Sequence, residues 1–333
     1  MAKKLPAGFA PLYFDLEEKY TKKIPNLESI SDANQTGFID THTHLDMILS
    51  DIESITGSVI SIEDILENCK QTNMKYLFHN ACDLESILNI SNVLDDCSNV
   101  DNIQVFGGVA IHPNETVLHN NANNESELEV APDGLEPPEF RDIHYDYDLG
   151  QAISKVEEIA KNDKRIKIIG ETGLDYFRTG PSGVDIQKNS FREHIRLAKE
   201  LNLTLQIHDR EAHQDVIDIL LSDISPERVV FHSFSADNTF AQICAENGWF
   251  MSFSGPVTYN KNTELREALC GIPKELILTE TDAPFLTPEP IRGTINTPSN
   301  VPITALYMAS YLNMSISDFS QQIIKNMTNA FDI

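Results

Sequence analysis

The chain has 333 residues, 41% of them hydrophobic and 23% charged, which excludes a globally disordered, collagen-like or coiled-coil protein. The length is enough to bury a sizeable core. Lys and Arg number 25 against 51 Asp and Glu, and the net charge of −26 excludes a protein that coats nucleic acid through a broad basic surface.

Residues 1–36 carry five basic and five acidic side chains with little periodicity, and they read as an N-terminal extension. Lys3 and Lys4 precede a short apolar run broken by Pro6 and Pro11, a poor secretory signal. The five scattered cysteines form no CxxC pair, so a reducing cytoplasm is expected. No stretch approaches the roughly 20 apolar residues of a membrane span. Neither a membrane nor a protein partner is implied.

From residue 37 onward the chain repeats a short apolar run followed by a helical stretch. The runs fall at 38–42, 75–80, 103–110, 166–170, 203–208, 228–232, 249–254 and 275–279. Near-continuous apolar runs are the pattern of strands covered on both faces. Helical spacing appears at 153–160, 187–201, 237–247 and 264–270, with Gly248 at a natural C′ position. Strands alternating with helices are βαβ units, and eight of them predict an α/β fold, a (β/α)8 TIM-like barrel over 37–333. No GxGxxG follows the first run, which argues against a dinucleotide fold. One segment breaks the rhythm. Residues 113–148, after the third strand, hold ten acidic residues and one arginine and are expected to be a long acidic loop insertion, a solvated excursion or a lid.

In such a barrel the chemistry sits at the C-terminal ends of the strands. The first run ends in His42-Thr43-His44, the fourth in Gly170-Glu171-Thr172-Gly173, the fifth in His208, the sixth in His232 and the eighth in Thr279-Glu280-Thr281-Asp282. Side chains alternate along a strand, so His42 and His44 share a face. Imidazoles and carboxylates brought together there can ligate divalent metal. Glu171 has two oxygens with which to bridge two ions, and His208 and His232 can hold the second. Asp282 can ligate the first ion and accept a proton from water, and two ions can clamp the attacking and leaving oxygens. His79 and His112 also end strands, and His112 is a candidate substrate contact. Arg210 and Arg292 lie on loops at the same end, where a guanidinium fork suits phosphate; Arg178 is a weaker candidate for the same role. His119, His144, His194 and His213 fall on loops or helices and are expected at the surface.

Several of these stretches together resemble the TatD family of metal-dependent deoxyribonucleases, among the amidohydrolase-like barrels. They are Phe38-Ile39-Asp40-Thr41-His42-Thr43-His44, Ile111-His112-Pro113, Gly170-Glu171-Thr172-Gly173-Leu174-Asp175-Tyr176 and Ile207-His208-Asp209-Arg210. Phe231-His232-Ser233-Phe234, Glu280-Thr281-Asp282-Ala283-Pro284 and Arg292-Gly293-Thr294-Ile295-Asn296-Thr297-Pro298 complete them. The resemblance implies a TIM-like barrel and two divalent ions, Mg2+ or Mn2+ with Zn2+ as an alternative, on His42, His44, Glu171, His208, His232 and Asp282. It also implies phosphodiester hydrolysis, with DNA, single-stranded or at its ends, as substrate. The 1–36 extension, the 113–148 insertion and Asp209 beside Arg210 depart from the family pattern. A small-molecule amidohydrolase or phosphoesterase on the same barrel is the alternative reading.

Overall fold

The computed structural model describes residues 36–122, 129, 131–134 and 140–333; the expected 1–36 extension therefore falls almost wholly outside the described residues. Eight parallel strands form one sheet in the order β1 to β8, the expected (β/α)8 barrel. They are β1 (Phe38–Thr43), β2 (Met74–Ala81), β3 (Gln104–Val109), β4 (Ile166–Asp175), β5 (Thr204–Arg210), β6 (Val229–Phe231), β7 (Phe250–Phe253) and β8 (Ile277–Thr279). Each coincides with one of the eight apolar runs. The largest difference is β4, which continues five residues past Gly170 through Glu171, Thr172 and Asp175. These polar side chains are buried in the strand, so hydropathy alone ends it too early.

The helices are α1 (Leu45–Thr56), α2 (Ile62–Gln71), α3 (Leu84–Cys97), α4 (Pro113–Asn121), α5 (Asp142–Asp146), α6 (Leu149–Asn162), α7 (Val184–Leu201) and α8 (His213–Ser222). They continue with α9 (Asn238–Glu246), α10 (Thr263–Gly271), α11 (Val301–Tyr311) and α12 (Ile316–Phe331). Their ends follow local chemistry. Ser61 with Asp64 and Asp148 with Gln151 form capping boxes at α2 and α6, and Asp237 and Ser315 cap α9 and α12. Gly248 takes a left-handed φ of 71° past α9, and the Trp249 N–H returns to the Cys244 carbonyl. No described helix is long and apolar enough to cross a membrane.

The chain divides into two compact units. The first comprises Met1–His79, Asn92–Phe106 and Ser233–Ile333. Its interior stacks Phe78 on Phe331 at 4.3 Å and on Phe106 at 5.3 Å, and Trp249, Phe253 and Phe319 are fully buried. Truncating any of these rings to Ala is expected to cost about 3–5 kcal/mol. The second unit comprises Asn80–Ser91 and Gly107–His232. Gly173 lies here at φ 141°, and a side chain on it would collide with the His208 carbonyl; glycine is what lets β4 run this close to β5.

Within the second unit the 113–148 segment is not a loop throughout: it opens as α4 and carries α5. Its one arginine, Arg141, bonds Glu85 at 2.7 Å, Glu115 at 2.6 Å and Asp83 at 3.3 Å. Asp133 pairs with Arg178 at 2.5 Å, and Glu129 accepts from the Ser182 N–H at 3.0 Å. Three of the segment's ten acids, Glu115, Glu129 and Asp133, thus have named partners, and Arg178 is an ion-pair residue here. Three of the four histidines expected at the surface are buried instead: His119, His144 and His194. Each finds polar partners inside, which periodicity does not reveal. Only His213 is partly exposed, on Asp209 at 2.7 Å.

His194 is the clearest of these. Its Nδ1 donates to the Ser190 carbonyl and its Nε2 accepts from the Ile111 N–H at 3.1 Å, next to His112. Burial pushes its pKa down from 6.5 to about 4. The unfolded chain therefore takes up a proton between those values that the folded chain refuses. The stability is fully present above pH 6.5 and is lost as pH falls through 4. Between pH 7 and pH 4.5, urea unfolding of wild type is expected to lose on the order of 2–3 kcal/mol more than His194→Gln. Equal losses in the two proteins would exclude a neutral buried His194.

Candidate metal centre

In the first unit the ends of β1 and β8 meet. The Asp282 N–H donates to the His42 carbonyl and the His44 N–H to the Ala283 carbonyl. The fully buried Asp40 ties these ends together, accepting from the N–H groups of His42 and Thr281 and from the Thr281 hydroxyl at 2.5 Å. Burial pushes its carboxyl well above the usual range despite the Thr281 bonds. The clamp brings Nε2 of His42 and Nε2 of His44 to 3.1 Å, with Asp282 Oδ1 at 3.7 and 3.6 Å from them. Two imidazole lone pairs cannot face each other at that distance without a proton or a cation between them. With the carboxylate added, the donor set fits a divalent ion. The nearby His79 is spoken for, because its Nδ1 accepts from the Leu45 N–H at 3.2 Å.

In the second unit a single oxygen, Glu171 Oε1, lies 2.6 Å from His208 Nδ1, 2.7 Å from His232 Nε2 and 3.6 Å from His112 Nε2. Burial alone would raise the Glu171 carboxyl, but the imidazoles of His232, His112 and His208 outweigh it and hold it well below its ordinary range. Burial likewise pushes His208 down, and its bonds to Asp175 and Glu171 overcome this and bring it up to about 9. Asp175, which burial would raise, is held down to about 2 chiefly by His208. A protonated His208 stands in for a cation here, and Glu171, His208 and His232 fit a second ion.

His112 plays a different part. Its Nδ1 accepts from the Asn114 N–H at the start of α4, so Nε2 carries the proton and points a donor at Glu171. That suits a hydrogen bond to an anionic substrate better than ligation. The two candidate arginines are exposed and stacked: Arg210 lies 4.0 Å over Phe177, and Arg292 lies 4.2 Å over Tyr259.

A third set, Glu115, His119 and His144, has nitrogen and oxygen atoms within 4.8 Å. Proton accounting speaks against His144 as a ligand in this set. His144 Nδ1 accepts from the Arg141 N–H, so Nε2 bears the proton that Glu115 accepts at 3.0 Å. His119 donates from Nδ1 to the Tyr147 carbonyl, and burial pushes its pKa down, leaving Nε2 an unprotonated lone pair. The set is a clasp between α4 and α5.

Reading motifs as strings passes over Asp40, Asp175 and Glu280. All three are carboxylates inside or beside buried strands, and that is the signal that could have found them. Glu280 accepts from the N–H of Ser233, the residue after His232, at 2.6 Å. Asp175 accepts from His208 Nε2 at 3.1 Å through Oδ2, and from the N–H groups of Phe177 and Arg178 through Oδ1. It therefore selects the His208 tautomer whose Nδ1 faces Glu171. Asp175→Asn keeps the two backbone bonds and alters the oxygen that faces His208 and the Asn114 side chain. It is expected to weaken metal binding by about 10- to 100-fold with little change in melting temperature. An unaltered metal titration would remove Asp175 from this role.

The model of the TatD-related DNase family matches residues 39–332. An uncharacterized metal-dependent hydrolase of Buchnera aphidicola subsp. Baizongia pistaciae is 31% identical over 296 residues, 89% of this chain and 96% of its own. The uncharacterized metal-dependent hydrolase YcfH of Escherichia coli K12 is 29% identical over the same shares. The uncharacterized metal-dependent hydrolase TatD of Mycobacterium tuberculosis is 37% identical over 173 residues, 51% of this chain and 66% of its own. Among solved structures, the TatD homologue YJJV of Escherichia coli K12 superposes with a TM-score of 0.69 at 20% identity, covering 91% of this chain and 99% of that one. A TatD family hydrolase of Entamoeba histolytica superposes at 0.70 and 19% identity, covering 89% and 98%. At these identities the two structures speak for the fold. With the family model spanning nearly the whole barrel, the chain belongs to the TatD-related DNase family, and the protein is a metal-dependent hydrolase.

Proposed function

We propose that the protein is a cytoplasmic deoxyribonuclease of exonuclease type, using two divalent ions to cleave phosphodiester bonds in single-stranded DNA or at DNA ends. The observation that carries this reading is the pair of His–carboxylate donor sets at the strand ends. One ion belongs to His42, His44 and Asp282, and the other to Glu171, His208 and His232. Phosphodiester chemistry favours Mg2+ or Mn2+, and imidazole-rich ligation also accepts Zn2+. When bound, the ions supply Lewis acidity and a water of lowered pKa.

The side chains do the rest. Asp282 is the most exposed member of its set, at 14%, and takes the proton of the attacking water. His112 donates its Nε2 proton to a phosphate oxygen. Arg210 and Arg292 present guanidinium groups seated over the rings of Phe177 and Tyr259, suited to paired phosphate oxygens. The net charge of −26 favours a second reading, in which the substrate is a small phosphoester or amide that meets less repulsion than a polyanion.

Chelator-stripped protein is expected to lose cleavage of end-labelled single-stranded DNA and to regain it with Mg2+ or Mn2+. Full activity in protein shown metal-free by elemental analysis would falsify the two-ion reading. A panel of small phosphoesters and amides runs alongside; turnover of these with the oligonucleotide left intact selects the second reading.

Asp282→Asn, nearly isosteric, is expected to lower kcat by about 10²- to 10⁴-fold at saturating metal. A near-normal kcat excludes Asp282 as the base. Arg210→Ala is expected to raise KM for oligonucleotide, to reduce the log–log salt slope by about 0.7 and to spare metal content. Lost metal with an unchanged slope makes Arg210 structural.

A further inference from the structure

Phe285 is the one exposed phenylalanine among the described residues, at 48%, and it stands three positions after Asp282. Burying it in a fold with this much apolar core would be favourable, yet the chain holds it out beside the first ligand set. Its ring centre lies 6.5 Å from that of His44, edge to face at 67°.

The turn that carries it is held from several sides, all within the first unit. The Phe285 N–H donates to the Asp282 carbonyl at 2.8 Å. Asn296, fully buried, donates from Nδ2 to the Phe285 carbonyl at 2.7 Å and to the Thr281 carbonyl at 3.0 Å. The Asn296 N–H returns to the Pro284 carbonyl at 3.1 Å. On the far side, the backbone of Gly255 packs so closely on the Leu286 carbonyl that any side chain at 255 would collide with it. A ring on a backbone this constrained has little freedom left to lose when something lies on it.

We infer that Phe285 is a stacking platform for a nucleobase, seating the base next to the scissile phosphate of a single strand or a frayed end. This rests on the deoxyribonuclease reading above and adds to it the part of the substrate recognised beyond the phosphate. The chemistry is complementary. His42, His44 and Asp282 handle charge, and a phosphate drawn to them carries a base one nucleotide's reach away. An exposed aromatic face takes any base, because every base has a π-face, so the contact gives affinity for unpaired nucleic acid without sequence preference. It also offsets the acidity of the chain by a contact that salt does not screen.

The test uses metal-loaded enzyme and two substrates, a single-stranded oligonucleotide and the same strand with an abasic tetrahydrofuran at the cleaved end. Wild type is expected to prefer the intact strand by about tenfold in kcat/KM. Phe285→Ala is expected to bring that preference close to one, and Phe285→Trp to keep or raise it; elemental analysis of each variant checks that the ligands are loaded. A preference that persists in Phe285→Ala, or that is absent in wild type, overturns the platform while leaving the deoxyribonuclease reading in place. Equal loss on both substrates in Phe285→Ala makes the residue structural and also overturns it. Failure of metal-loaded wild type to cleave either strand while it hydrolyses small phosphoesters overturns the deoxyribonuclease reading, and the platform with it.

Discussion

A carboxylate oxygen buried among imidazoles is the constraint around which the second unit of this protein is organised. Glu171 Oε1 has His208 at 2.6 Å and His232 at 2.7 Å, in surroundings where an unpaired charge costs several kcal/mol. The oxygen must have positive charge beside it. Without an ion, a proton supplies that charge: His208 is pushed up to about 9 and shares its two nitrogens between Glu171 and Asp175. His208 Nδ1 and His232 Nε2 would hold an ion together with this oxygen, with His208 Nε2 left on Asp175. The facing imidazoles of His42 and His44 pose the first unit an equivalent problem, with Asp282 as the nearby anion. Both places gather a donor set that fits a divalent ion.

Such places need walls that do not yield. β4 extends through Glu171 to Asp175 as strand, so both carboxylates inherit the rigidity of the sheet, and Gly173 between them lets β5 deliver His208 at close range. In the first unit Asp40 does the corresponding work, holding the end of β1 against Thr281 so that His42 and Asp282 start from fixed backbone. Asp40 and Asp175 hold the histidines and carboxylates of the two donor sets. The orientation of a ligand nitrogen is set by what binds the other side of the ring.

The 113–148 segment looks different once its partners are known. By composition it is an acidic excursion. In the described part, Arg141 gathers Asp83, Glu85 and Glu115, while Asp133 and Glu129 are bonded to the chain that follows β4. His144 and His119 fill the space between α4 and α5 as buried hydrogen-bonding groups. The segment begins directly after His112, whose proton points toward Glu171, so its anchoring bears on the position of a candidate substrate donor.

The fold class and the donor inventory were legible in the residues alone. Eight apolar runs of strand length, each followed by a helical stretch, have few ways to cover both faces of their strands, and a barrel is the solution that leaves no edge. His42, His44, Glu171, His208, His232 and Asp282 stood out because polar residues at the ends of buried strands conflict with their surroundings unless they serve chemistry. The tertiary structure decided what depends on partners far along the chain. It ended β4 at Asp175 and not at Gly170, because a buried polar residue belongs to a strand once another residue satisfies it. It turned His119, His144 and His194 inward for the same reason, and it set the partners of ring nitrogens, making His112 a donor toward Glu171 and holding His208 between Glu171 and Asp175. Periodicity records which residues avoid water; it carries no information about which buried polar atoms find each other, since that is settled only when strands distant in sequence are brought side by side.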